Sequence, residues 1–266
     1  MTRIVGLFGF VVAAALVGIF LADTKAGARS DAAPSSSADE AVVPKFSSIA
    51  PAEDLAYELN FFIADLEKAV ADEEEYKSQI EDRFLRDANT IALVATALAL
   101  HDQDNTIKPH AQAIIATAHK LGEAKDYAAT KAAVADIKAS LQGSAAGEVK
   151  WSKIAALKSL MKDEVPNVNV KLKNSVRRLD KRAKEAAAHA ATMALIAENA
   201  KLYVADTKKP GETAKWAAFA EQFRTAAADV AAKARAGDRS GANAAMEKLN
   251  QSCHDCHAVF NPDAKE

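Results

Sequence analysis

The chain has 266 residues, with 34 Lys and Arg against 36 Asp and Glu, aromatics at 6% and only two cysteines. Beyond residue 47 it is rich in Ala, Leu, Lys and Glu and almost free of β-branched runs or Asn-Gly turns, which excludes a sheet protein and predicts an all-α fold. Both cysteines fall in one five-residue motif, so nothing else competes for its reading.

The first residues read as an export signal. Arg3 precedes an apolar run from Ile4 to Ala22, and Ala26-Gly27-Ala28 supplies a small-x-small cleavage site, so residues 1–28 form a predicted signal peptide. The run of about 19 residues is long enough that an uncleaved membrane anchor over residues 4–22 is the alternative. Either reading places the remainder outside the cytoplasm. Residues 29–47 turn to Ala, Ser and Pro without apolar periodicity, a composition that predicts a flexible linker.

Helical segments then follow between Pro, Gly and Asp punctuation. They are expected over Ala52–Asp72, Glu74–His101, Pro109–Leu121, Tyr127–Leu141, Trp151–Lys173 with an internal Pro166, Asp180–Tyr203, Thr213–Ala236 and Ser240–Ala258. Eight segments suggest two tandem four-helix bundles, residues 48–147 and 148–266. An internal repeat supports the division. Thr90-Ile91-Ala92-Leu93-Val94-Ala95 matches Thr192-Met193-Ala194-Leu195-Ile196-Ala197 at an offset of 102, while Asp126 and Ala132-Ala133-Val134 match Asp238 and Ala244-Ala245-Met246 at 112. The ten extra residues of the second copy are expected in the loop at Pro210-Gly211.

Charge divides the halves too. Residues 48–147 hold 9 Lys and Arg against 17 Asp and Glu, a net of −8, and residues 148–266 hold 21 against 15, a net of +6. The extremes, Asp72-Glu73-Glu74-Glu75 and the cluster Arg177, Arg178, Lys181, Arg182 and Lys184, read first as solvated surfaces. The alternative is that the halves attract and dock, or that the basic half steers an acidic redox partner. Nucleic acid is not an expected partner of an exported chain with this acidic half.

The chemistry-bearing motif is Cys253-His254-Asp255-Cys256-His257, the C-x-x-C-H signature of covalent haem attachment. On a helix the i, i+3 spacing places both thiols on one face, within reach of the two vinyl groups of one porphyrin, with His257 following toward the iron. A Cys253–Cys256 disulfide would close a very short loop, gain little from chain entropy and leave His257 without a role. Zinc held by Cys253, Cys256, His254 and His257 would crowd four ligands into one helical turn. His254 reads as a bystander. His101, His110 and His119 have no partners at metal-ligand spacing and read as surface or capping residues, and His189 as a partly exposed helix residue.

A helical bundle with this motif close to its C-terminus and an aromatic, Phe260, three residues on resembles the class II c-type cytochromes: cytochrome c-prime and its low-spin, methionine-ligated relatives. The resemblance covers residues 148–266. It implies a haem c with thioethers at Cys253 and Cys256 and His257 as proximal ligand. Leu160-Met161-Lys162 matches the context of the methionine that supplies the sixth ligand in the low-spin relatives, which nominates Met161; the alternative for Met161 is an ordinary core methionine. By the first offset, Leu59 stands in its place in the front half. Pro166, five residues on, is expected to shift the Met161 side chain relative to the iron.

The resemblance implies an electron carrier if Met161 ligates. A five-coordinate iron would instead bind small gases such as nitric oxide or carbon monoxide. A peroxidase would need a distal acid and base that no residue nominates. The expectation is therefore a periplasmic, non-enzymatic monohaem cytochrome that exchanges electrons with redox partner proteins. Cytochrome c-prime proteins often pair through their first two helices, so the haem-free bundle is expected to supply such a surface within one chain, the alternatives being a homodimer or a simple spacer.

Overall fold

The computed structural model describes residues 43–80 and 82–263. The predicted signal or anchor, residues 1–28, and the linker as far as residue 42 lie outside the described residues. Among the described residues there is no strand, and no helix is long and apolar enough to cross a membrane.

The described residues hold ten helices in order: α1 (Ala52–Ala69), α2 (Glu73–Lys77), α3 (Arg83–Leu100), α4 (Ala111–Glu123), α5 (Tyr127–Ser140), α6 (Leu157–Ser159), α7 (Val165–Arg177), α8 (Leu179–Ala200), α9 (Thr213–Arg235) and α10 (Arg239–Phe260). A π turn, Leu160–Glu164, joins α6 to α7, and 3-10 turns lie at Phe46–Ser48 and Lys201–Asp206. Each boundary has a local cause. Pro51 caps α1, with Glu53 and Asp54 in its positive first turn. Asp126 caps α5 by accepting from the Ala129 N–H at 2.8 Å, and Asp238 caps α10 by accepting from the Gly241 N–H at 2.8 Å. Gly237, at φ +68°, turns the chain between α9 and α10 in the left-handed region that glycine enters freely. The two Asp caps are the pair that the sequence repeat matched at offset 112.

Packing runs α1 on α3, α3 on α4, α4 on α5 and α5 back on α1, and likewise α7 on α8, α8 on α9, α9 on α10 and α10 back on α7. Between the two sets, α1 and α3 pack on α8, and α3 packs on the π turn. One apolar core runs through both sets, from Leu55, Leu59 and Phe62 through Ile91 and Leu98 to Leu172, Met193 and Leu249.

The segment expected as one helix from Glu74 to His101 breaks after Lys77. The Ser78 hydroxyl and the Gln79 amide both donate to the Glu75 carbonyl at 2.7 Å, competing with the helical ladder. Trp151 to Ala156 is not helical either. The Tyr203 hydroxyl accepts from the Ile154 N–H and donates to the Ala155 carbonyl, both at 3.0 Å, so a side chain takes over the backbone bonding of this stretch. Phe46, inside the stretch expected as linker, is fully buried edge-on against Trp151.

The ten extra residues of the second half do not lie in the Pro210-Gly211 loop. They lengthen a helix: α9 has 23 residues where α4 has 13, with Ala111 and Thr213 at the starts 102 apart and Glu123 and Arg235 at the ends 112 apart. Aligned on those ends, the added turns are residues 213–222, at the N-terminal end of α9. Similarly, α10 has 22 residues against 14 in α5 and runs on through residues 253–260.

The opposed charges of the halves meet. Arg235 of α9 pairs with the buried Asp54 of α1, and Lys171 of α7 with Asp65 of α1 at 3.0 Å. His189 of α8, fully buried, is hydrogen-bonded through Nδ1 to Glu58 Oε2 of α1 at 2.7 Å, with Phe61 edge-on to its ring. His189 is therefore not the partly exposed residue the sequence suggested; it faces the seam because α8 is flanked by both sets. His101 is buried too, bonded through Nε2 to the Ala50 carbonyl at 3.1 Å. The acidic run at Glu73 to Glu75 and the arginines Arg177 and Arg178 are exposed, as solvated charges are expected to be.

Candidate functional site

The lengthened ends of α9 and α10 lie side by side because the two helices are antiparallel neighbours. With α6, the π turn and the start of α7 they enclose a mainly apolar cleft of about 830 Å³. That volume lies within the range of roughly 300–1,000 Å³ found for cofactor and small-molecule sites. Met161, Val165, Trp216, Phe219, Phe223 and Phe260 supply its apolar lining, and Cys253, Cys256 and His257 all face it. Met161, the nominated sixth ligand, thus shares one cleft with the motif although 92 residues separate it from Cys253.

The motif lies wholly on the extension of α10, so Cys253 and Cys256 are one helical turn apart on a common face. Both are thiols rather than halves of a disulfide. Cys253 Sγ donates to the Leu249 carbonyl at 3.4 Å, and both sulfurs pack against the apolar core. Burial, and secondarily the neighbouring Cys253, pushes the Cys256 thiol up to about 11. A thiol so raised stays neutral, which suits a thioether and is the opposite of a metal-binding or redox-exchange thiolate. Among the described residues no three His, Cys, Asp or Glu side chains are grouped to hold a metal ion, so the zinc arrangement is not formed. His254 is exposed at the cleft edge.

The end of the cleft is closed by aromatics. Trp216 and Phe260 pack edge-on with centroids 5.0 Å apart, Phe219 meets Phe260 at 6.2 Å, and the Trp216 indole N–H donates to the Ala200 carbonyl at 2.7 Å. Of these only Phe260 was singled out in the sequence. The spacing of Trp216, Phe219 and Phe223, three and then four residues apart, is the signal that could have found the rest. Sequence reasoning also passed over Lys158, Lys173 and Lys208, which bring positive charge to the cleft, and Asn169, whose buried amide oxygen has no partner within the protein.

Among the described residues the front half lacks both helix extensions. α5 ends at Ser140, before the positions matching Cys253 and His257, and α4 lacks the turns that carry Trp216 and Phe219. His110 Nδ1 is bonded to the Gly143 carbonyl at 2.5 Å, a loop-fastening role, and His119 is exposed. Comparison with family models, with curated proteins and with solved structures finds no match to this chain. The resemblance to class II cytochromes accordingly rests on the motif, its position and the Met161 context.

Proposed function

We propose that the chain is an exported monohaem c-type cytochrome of class II type, an electron carrier rather than an enzyme. The observation that supports the reading is the convergence of Met161, Cys253, Cys256 and His257 on one apolar cleft of cofactor size. Bound there, haem c would supply a one-electron iron couple. Cys253 and Cys256 would hold it, each thiol adding across one vinyl group with sulfur on one carbon and the thiol hydrogen on the other, so that no atom would leave and no oxidant would be needed. The neutral, apolar setting of Cys256 suits the thioether that results. His257 and Met161 would hold the iron, a pair of ligands that would favour low-spin iron and a raised reduction potential. Lys158 and Lys173 would carry charge to pair with the two propionate carboxylates.

The architecture is read as two tandem four-helix bundles, residues 48–147 without haem and residues 148–266 with it. The helix pairings, the matched Asp126 and Asp238 caps and the shared starts of α4 and α9 support a duplication whose second copy grew at one end. The ion pairs of Asp54 with Arg235 and of Asp65 with Lys171, with the Glu58–His189 hydrogen bond, support docking of the haem-free bundle inside the chain in place of a homodimer partner. Attachment of haem c outside the cytoplasm assigns the protein to the periplasm, with residues 1–28 as its signal or residues 4–22 as an anchor, and a redox protein as its partner.

The test is production of the full chain in a host competent for c-type haem attachment. The polypeptide mass should rise by one haem that survives denaturation and solvent extraction, and Cys253→Ala with Cys256→Ala should abolish that increment. His257→Ala should keep the attached haem and lose the low-spin spectrum. A wild-type chain that leaves the host without haem would refute the reading.

A further inference from the structure

The wall of the cleft that carries Met161 has a spacing no regular helix produces. Leu157, Met161, Val165, Asn169 and Lys173 all line the cleft at intervals of four, and beside them Leu160, Glu164, Val168, Leu172 and Val176 are all buried at intervals of four. At 3.6 residues per turn each step of four overshoots by about 40°, so over sixteen residues such a stripe would wind roughly 160° around its axis. The π turn at Leu160–Glu164, equivalent to one inserted residue or about 100°, takes up the larger part of this drift. Its defining bond runs from the Val165 N–H to the Leu160 carbonyl, five residues back. Pro166 comes next, with no N–H to give and a ring that excludes the carbonyl four residues earlier, which favours the wider turn here.

The turn is gripped from the other half of the molecule. Glu164 is fully buried and accepts from Asn89 Nδ2 of α3 at 2.8 Å. Asp87, also fully buried on α3 and held by Arg83 and Arg86, accepts from Asn167 Nδ2 at 3.2 Å. These two bonds fasten α3 to the chain on either side of Pro166. Moving the register by one residue would turn Met161 by about 100° and take its sulfur off the cleft wall.

We propose that α3 of the haem-free half holds the π turn in register through Asn89–Glu164 and Asp87–Asn167, and that Asn89 is thereby a positioning residue for Met161 as a ligand. The inference rests on the haem reading above and gives the first half a function beyond that of a spacer.

The test uses the full-length haem-loaded chain and two readouts: the Met161 methyl resonance, thrown upfield by the porphyrin ring current in the reduced protein, and carbon monoxide binding to reduced iron. Wild type should show the resonance and resist carbon monoxide. Asn89→Ala should retain covalent haem, weaken the resonance and bind carbon monoxide about tenfold more tightly, the equivalent of one buried hydrogen bond. Glu164→Gln, which keeps an acceptor for Asn89, should behave as wild type. Ile137→Ala, which loosens α5 in the same half without touching the turn, should also leave both readouts in place. If Asn89→Ala does not fold, Asn89→Asp alone and combined with Glu164→Gln replaces it, the pair restoring the bond with reversed polarity and the wild-type readouts.

An Asn89→Ala protein indistinguishable from wild type overturns the proposal, as does an equal loss in Ile137→Ala. A wild type with covalent haem but no upfield methyl resonance overturns the positioning role while the haem reading stands. A wild type that takes no haem overturns both.

Discussion

At Cys256 a single side chain distinguishes between chemistries. A thiol meant for metal binding or disulfide exchange is held as thiolate by nearby positive charge, whereas Cys256 is driven the other way, from 9.0 to about 11, by its apolar surroundings. The neutral thiol is the form the fold prefers. Its stabilising contribution is complete below about pH 9 and is lost as pH rises through about 11. In the folded, haem-free chain, alkylation of Cys256 at pH 8 should run about a hundredfold slower than in the unfolded chain, as two pKa units of lost thiolate require. Peptide mass spectrometry over a time course checks this, and equal rates would show that the site is not desolvated. The buried Glu58–His189 pair makes a second prediction at this scale. Glu58→Ala removes the hydrogen-bond partner of the buried His189 Nδ1 and should cost about 1–3 kcal/mol by urea denaturation, the usual consequence of leaving a buried polar group unsatisfied.

The helices of the two halves differ in length, and the differences fall at the cleft. α5 and α10 start alike, each on an Asp cap, and then α10 continues for eight residues that carry the whole motif. α9 is ten residues longer than α4, about 15 Å of helix, and its first turns carry Trp216 and Phe219. Removal of either cap should cost a similar amount. Asp126→Ala and Asp238→Ala are each expected to destabilise by about 1 kcal/mol in urea denaturation, since each removes one side-chain cap from a buried-face helix. Much of this was legible beforehand. The Cys253–His257 motif, Pro166 as a disturbance near Met161, and the Asp126–Asp238 match are all local signals that tertiary structure had no need to override. The length of α9 was misplaced into a loop because Pro210-Gly211 is the stronger local punctuation, while alanine-rich helices carry no mark of where a turn has been inserted.

Across the whole molecule the near-neutral total charge conceals an internal division of labour. An acidic half and a basic half meet through Asp54, Glu58 and Asp65, so part of the charge imbalance is used inside the fold while Arg177 and Arg178 stay exposed. Sequence counting exposed the imbalance but could not tell which charges pair, because pairing depends on α8 lying between the two sets. For the same reason His189 read as a surface residue from its own helix alone. A chain starting near Gly147 would expose the seam face of α7 and α8, with Glu164 and His189 stripped of their partners. It should self-associate by size-exclusion chromatography with light scattering, where the full-length chain runs as a monomer. A truncated domain that stays monomeric would count against the seam as a built-in partner surface.

The most direct test of the haem reading is the visible absorption spectrum of the exported, full-length protein, oxidised and reduced, before and after carbon monoxide. Sharp, split reduced bands that carbon monoxide leaves unchanged are expected for iron held by His257 and Met161. A broad high-spin spectrum that shifts with carbon monoxide would replace the electron carrier with a gas-binding protein, and a colourless protein would contradict the haem site altogether.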